Sequence, residues 1–384
     1  MNVVFVGGGS FRTLPIVRAA MAGENALRNG KIQLVDFNLG RAETVGRLIM
    51  KTPEYGGSNC EITWTNNLDQ ALSGADLVSI SFPVGSWKTC MLSDQASTKY
   101  GFHGGDQLSI SGAFRSLTGG VIILDIARRM EKHCPSAWLV DHANPVAVYS
   151  GLVNNHTKIR ALGLCGSCYH PNWDLTRLLF EKDEYRADYK FASAGVNHLT
   201  FLLRAEYKGR DVCALLDEKY KGRDWKPRLA TLPSAMVKTL HFSYGLFQKM
   251  RRRFGVIPCA NELDGTKHIF PDEFSAHYPK RKRLSAGAIR LLDKKTGANR
   301  RKADLEFRAQ LDRVLDSKFW AQADLAPYFK AAYSDPTAIV MKALGTGKPQ
   351  WLTASLLNCG AVKGFKGRTV LEYSFTLDKN GVHP

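Results

Sequence analysis

A short β-rich run, Val3 to Val6, passes straight into Gly7-Gly8-Gly9-Ser10 and then into residues with helical spacing, Leu14 to Met21. In a strand–glycine turn–helix unit the glycines permit a tight turn and let the backbone approach a phosphate at the helix N-terminus. A second apolar strand, Ile32 to Val35, ends in Asp36. An acid at that strand end accepts hydrogen bonds from the ribose hydroxyls, and its charge repels a 2′-phosphate. The unit predicts a dinucleotide bound through Gly7, Gly9, Ser10 and Asp36, with NAD preferred over NADP. The fingerprint G-x-G-x-x-G is incomplete, because Arg12 stands at its third glycine. Asp36 also lies beyond the usual spacing of ~20 residues, which a longer first helix or loop explains.

Further strands are predicted at Leu77 to Phe82, Trp138 to Val140 and Ile159 to Cys165, with helices between them, notably Gly120 to Lys132. Strands alternating with helices imply an α/β fold with a doubly wound parallel sheet. Beyond about residue 170 the pattern changes. Phe191 to Asn197 and Thr200 to Tyr207 read as strands of a different layer. Helices follow over Ser234 to Arg252 and Leu305 to Lys318, then strands over Trp351 to Asn358 and Thr369 to Phe375. Two domains are expected, 1–170 for the nucleotide and 171–384 for substrate, metal and oligomer contacts.

Composition sets outer bounds. Hydrophobic residues make up 44% and charged residues 23%, a globular rather than disordered profile. No leader-like segment or apolar run of about 18 residues is evident, so a cytoplasmic location without a membrane partner is expected. Lys and Arg number 53 against 35 Asp and Glu, a net charge of +18. The basic clusters Lys280 to Arg283, Lys294-Lys295 and Arg300 to Lys302 lack interleaved aromatics and lie on no nucleic-acid module, so solvated surface is expected and nucleic acid is not. Eight scattered cysteines are read as reduced thiols.

Several landmarks occur in order. They are Gly7 to Ser10, the glycine-rich Gly104 to Arg115, Cys134-Pro135-Ser136-Ala137-Trp138, Asp141-His142-Ala143-Asn144-Pro145 and Gly163-Leu164-Cys165. Gly195-Val196-Asn197-His198-Leu199, Phe254 to Pro258 with Asp264 and His268, Asn358 to Val362 and Asn380 to Pro384 complete the set. In this the chain resembles the family 4 glycoside hydrolases, glycosidases that depend on NAD and a divalent metal. The resemblance implies a Rossmann-type domain joined to an α+β domain like that of lactate and malate dehydrogenases. It also implies hydride removal from C3 of the sugar by NAD, loss of the C2 proton, expulsion of the C1 leaving group, water addition and hydride return. The paired carboxylates on which most glycosidases rely have no part in such a reaction.

By the same resemblance Cys165 and His198 are the metal ligands, and the metal is manganese. Tyr244, on a predicted helix, is the best match to a tyrosine base, with Asp264 and His268 as alternatives. Asn144, Asp141 and Asn197 are the expected sugar contacts. The partner is a small glycoside, with an anionic sugar expected, and the chain is expected to form a dimer or tetramer. A plain NAD-dependent sugar or 2-hydroxy-acid dehydrogenase is the alternative. Four features depart from the family: Gly166 follows Cys165 where a general acid often stands, the loop Val84 to Lys88 is followed by Cys90 and Met91 rather than the usual arginine, Ser109-Ile110-Ser111-Gly112 replaces the usual Gly-Pro-Gly-Gly, and the sequence stops at Pro384 where family members continue into C-terminal helices.

Overall fold

The computed structural model describes residues 1–10, 12–82, 87–100, 102, 105–181, 189–226, 234–259 and 335–384, with single positions at 291, 294, 295, 298 and 302. Strands β1 (Asn2–Val6), β2 (Lys31–Val35), β3 (Glu61–Thr65), β4 (Leu77–Ile80), β5 (Trp138–Asp141) and β6 (Arg160–Gly163) pair in parallel. Their order is β3-β2-β1-β4-β5-β6. Strand order reverses between β1 and β4, and in such sheets ligands sit at this switch point, beyond the strand C-termini.

Helices cover both faces because both faces are apolar. Val3 and Phe5 of β1 enter one core with α1 (Thr13–Met21) and α2 (Leu39–Met50), while Val4 enters another with α3 (Leu68–Leu72). Successive side chains of a strand point to opposite faces, so a strand apolar throughout requires cover on both. Helices α4 (Trp87–Lys99), α5 (Ile110–His133) and α6 (Val146–His156) complete that second side. By length and composition α5 is apolar enough to cross a membrane, which corrects the expectation that no segment passes that test. It packs on α4 and α6, with Ile123, Ile126, Ala127 and Met130 in the core.

The sheet continues past residue 170. β11 (Gln350–Leu357) meets β6 through Ser355 and Gly163, then pairs with β12 (Val370–Asp378). β12 pairs with β7 (Tyr189–Val196), β7 with β8 (Leu199–Tyr207), and β8 with β10 (Ile257–Pro258), all antiparallel. The strands expected in a different layer therefore belong to one 13-stranded sheet among the described residues. The reason is β12, whose two edges engage β11 and β7. Short β9 (Arg210–Asp211) and β13 (Gly381–His383) pair with β8 and β12.

A third core joins α7 (His170–Phe180), α8 (Val212–Lys219), α9 (Ser234–Phe254), β8 and β10. The Pro336–Thr346 helix instead packs on α1 and β11, so the chain's last segment helps build the first core. The helix expected over 305–318 and the cluster over 280–283 lie outside the described residues.

Candidate active site

The glycine turn and Asp36 form one hydrogen-bonded unit. Gly7 and Gly8 N–H both donate to the Val35 carbonyl, at 2.9 and 3.0 Å. The Asp36 carboxylate accepts from Gly9 N–H through Oδ2 at 3.0 Å and from Asn38 N–H through Oδ1 at 2.8 Å. Gly7 has φ +86°, a backbone region that favours glycine, and a Cβ on Gly8 would lie 2.7 Å from the Leu34 Cα. Ser10 closes the turn by donating its N–H to the Gly7 carbonyl at 3.0 Å, and its Oγ accepts from Arg12 N–H at 3.3 Å. All four residues expected to hold a dinucleotide thus meet at the C-terminal end of β1.

Cys165 and His198 meet as well, although 33 positions separate them. Cys165 follows β6, and His198 occupies the β7–β8 turn with φ +63°. Cys165 Sγ lies 3.5 Å from His198 Nε2 and accepts from Ser167 N–H at 3.4 Å. A thiolate and an imidazole nitrogen that bind one divalent cation lie about 3.5 Å apart when the cation is zinc, bound tetrahedrally. The pair therefore fits one cation. Among the described residues no third His, Cys, Asp or Glu joins the pair. All eight cysteines are unbridged, as the sequence suggested.

On the sugar side the placements diverge. Asn144 is held from both ends: its Nδ2 donates to Asp106 Oδ2 and its Oδ1 accepts from Gln107 Nε2, each at 2.5 Å. Arg115 steadies this chain, 3.9 Å from Asp106 and 3.4 Å from Asp94. Asp141 is sealed inside, with Oδ1 accepting from Ala143 N–H at 2.9 Å and Oδ2 lacking a partner among the described residues. Burial pushes its carboxyl well above the usual range. Its backbone contact lies within its own strand-end loop. Burial and then Arg12 push the neighbouring His142 imidazole down, and its Nε2 lies 2.5 Å from the Thr337 hydroxyl.

Asn197 is buried, donates to Glu372 Oε2, and leaves Oδ1 unpartnered among the described residues. Tyr244 is fully buried in the third core with Leu175, Trp225 and Phe247, and its hydroxyl has no partner among the described residues. Burial, with Asp174 nearby, raises its phenol, the direction opposite to that a base requires. Asp264 and His268 lie outside the described residues. Sequence reasoning passed over Asp106, Gln107, Thr200 and Glu372. A lone acid inside the apolar strand Val370 to Phe375 was the one available signal.

These features define a Rossmann-type α/β scaffold with a glycine turn held to Asp36 and a thiol–imidazole pair at strand ends. The scaffold is shared with malate dehydrogenase of Plasmodium falciparum, which matches with TM-score 0.53 and 11% identity over 100% of this chain and 89% of that one. More narrowly, the chain belongs to family 4 of the glycosyl hydrolases. The model of that family matches residues 2–181, and the model of its C-terminal domain matches residues 193–384. An alpha-galacturonidase of Thermoanaerobacter italicus is 26% identical over 282 residues, covering 70% of this chain and 58% of that protein. The chain thus spans little more than half the length of that curated relative. An alpha-galactosidase of Bacillus subtilis is 23% identical, covering 100% of this chain and 82% of its own. A 6-phospho-alpha-glucosidase from gut microorganisms, solved with NAD and Mn²⁺, shares the fold with TM-score 0.71 and 18% identity, covering 100% and 83%.

Proposed function

We propose that this family 4 chain is a glycosidase dependent on NAD and a divalent cation, manganese by likeness to the gut 6-phospho-alpha-glucosidase. The reaction would run by C3 oxidation, C2 deprotonation and elimination at C1, followed by water addition and return of the hydride to C3, not by direct displacement. The observation that carries this reading is the 3.5 Å approach of Cys165 Sγ to His198 Nε2. Bound in these sites, NAD supplies a reversible hydride acceptor and the cation supplies Lewis acidity toward the sugar hydroxyls.

The chain's own residues hold and orient. The Gly7 to Gly9 backbone and Asp36 bind the nucleotide, and Cys165 and His198 hold the cation. Asn144, with its amide plane set by Asp106 and Gln107, keeps one N–H and one lone pair for a sugar hydroxyl. Asn197 Oδ1, unpartnered beside His198 among the described residues, is a further acceptor for substrate. An anionic sugar is the proposed substrate class. The net charge of +18 favours encounter with anions, and the relatives include an alpha-galacturonidase and a 6-phospho-alpha-glucosidase.

The test is a panel of aryl α- and β-glycosides, neutral, uronic and phosphorylated, assayed with NAD⁺ and Mn²⁺ in D₂O. Aglycone release without net NADH, and with deuterium at C2 of the sugar product, is expected. Product free of C2 deuterium would remove the elimination pathway. Accumulating NADH would make the chain a dehydrogenase, and a neutral glycoside turned over fastest would remove the charge argument.

A further inference from the structure

Glu372 is a carboxylate in the middle of the sheet, 1% exposed, between the core residues Leu371 and Tyr373. Its register explains its importance. Gly163, Ser355, Glu372 and Gly195 form one row across β6, β11, β12 and β7. Cys165 lies just beyond Gly163, and His198 just beyond Gly195. The two cation ligands therefore leave the sheet on either side of Glu372.

The side chain grips the segment that carries His198. Oε2 accepts from Asn197 Nδ2, and Oε1 lies 3.0 Å from the Thr200 hydroxyl, so the residues bracketing His198 are both tied to it. On the other ligand's segment the Cys168 thiol donates back to the Cys165 carbonyl at 3.4 Å. Gly195 lets the turn close over this acid, since a Cβ there would lie 2.5 Å from the Leu199 carbonyl. His198 itself has φ +63°, a conformation that persists in a non-glycine residue only where its surroundings enforce it.

We propose that Glu372 is a positioning residue for the cation site: from the middle of the sheet it ties down the segment that carries His198 and sets it in register with the segment that carries Cys165. The proposal rests on reading Cys165 and His198 as cation ligands. Groups that orient metal ligands typically contribute about 10–100-fold in metal affinity.

The test is Mn²⁺ titration of the full chain with NAD present, with free Mn²⁺ read by electron paramagnetic resonance and NAD affinity by calorimetry. Cys165→Ser is expected to abolish tight Mn²⁺ binding. Glu372→Gln, which keeps the shape but replaces one of the two accepting oxygens by an amide donor, is expected to weaken it by about 10–100-fold with NAD affinity unchanged. Thr200→Val, which keeps the carboxyl and removes one contact to it, is expected to weaken it by a smaller factor. Wild-type Mn²⁺ affinity in folded Glu372→Gln, with Cys165→Ser impaired, overturns the role of Glu372 alone. Wild-type affinity in Cys165→Ser overturns the cation reading beneath it. Should Glu372→Gln fail to fold by circular dichroism, Thr200→Val decides, and an affinity equal to wild type there overturns the proposal.

Discussion

Arg12 grips Asp335 through both Nε and Nη2, at 3.1 and 3.0 Å, joining residues 323 positions apart. Arg12 occupies the place where the dinucleotide fingerprint has its third glycine, so the departure from the motif is also a tertiary contact. Asp335 in turn caps the Pro336–Thr346 helix, its Oδ1 accepting from Thr337 N–H at 2.9 Å. The Thr337 hydroxyl reaches His142 at the end of β5. One relay of side chains thus connects the nucleotide loop, a helix from the end of the chain and the strand end that carries Asn144.

Removing the two ends of this pair has unequal consequences. Arg12 is 42% exposed, so Arg12→Ala is expected to lose no more than about 1 kcal/mol of unfolding free energy. Asp335→Ala is expected to lose about 1 kcal/mol more, because it also removes a helix cap. Asp335→Asn keeps a capping oxygen and should resemble Arg12→Ala. Urea midpoints of the three variants check this ranking, and equal losses for Asp335→Ala and Asp335→Asn would contradict the capping role.

The Asp36 carboxylate faces the glycine turn with both oxygens engaged by backbone N–H groups, a posture that also presents lone pairs to a ribose. Asp36→Ala is expected to weaken NAD binding by at least about tenfold, from loss of charged hydrogen bonds of roughly 1.5–3 kcal/mol each. It is also expected to narrow the preference over NADP, since the charge that repels a 2′-phosphate is gone. Calorimetry with both nucleotides reads this, and NADP binding as tight as NAD in the unaltered chain would remove the role of Asp36.

Asp141 carries a pH signature of definite sign. Burial raises its folded-state pKa, so the folded chain binds more protons than the unfolded one from about pH 4 up to that raised value. Stability therefore falls as pH rises through the window, and the deficit is complete above it. Asp141→Asn keeps an oxygen for Ala143 N–H and removes the ionisable group. It is expected to be more stable than the unaltered chain at neutral pH, with the gap closing as pH falls toward about 4. Denaturation midpoints across that range decide, and a gap independent of pH would contradict the buried ionisation.

Local chemistry made part of this site legible. Gly7, Gly9 and Asp36 could be read because a strand, a turn and a strand-terminal acid each carry their own signal, and the structure joins them within hydrogen-bonding distance. Cys165 and His198 were readable only through their short motifs, yet their side chains converge. The sheet's continuity was not readable. The pattern of β7 and β8 declares strands, but nothing local says which edge they join, and that is settled by β12, from the chain's far end. Asp141 looked like an open strand-end contact, whereas Oδ1 turns back to its own loop. Glu372 was hidden because its partners Asn197 and Thr200 lie 175 and 172 positions away.

Tyr244 separates packing from catalysis. It lies on α9 beside the buried Leu246, Phe247 and Met250, on the face turned to the third core. Its hydroxyl is buried without a partner among the described residues, and an unsatisfied buried hydroxyl is destabilising by roughly 1–3 kcal/mol. Tyr244→Phe keeps the ring and deletes that oxygen, so its unfolding free energy is expected to be unchanged or higher. Burial raises the phenol, so it can accept a proton as phenolate near neutral pH only with a cation close to its oxygen. Exchange of the C2 proton with solvent reads the second role directly. A fall of about 10²–10⁴-fold in exchange with the fold intact would assign the base to Tyr244. Exchange at the unaltered rate would leave the phenol as a packed side chain and move the base to another residue.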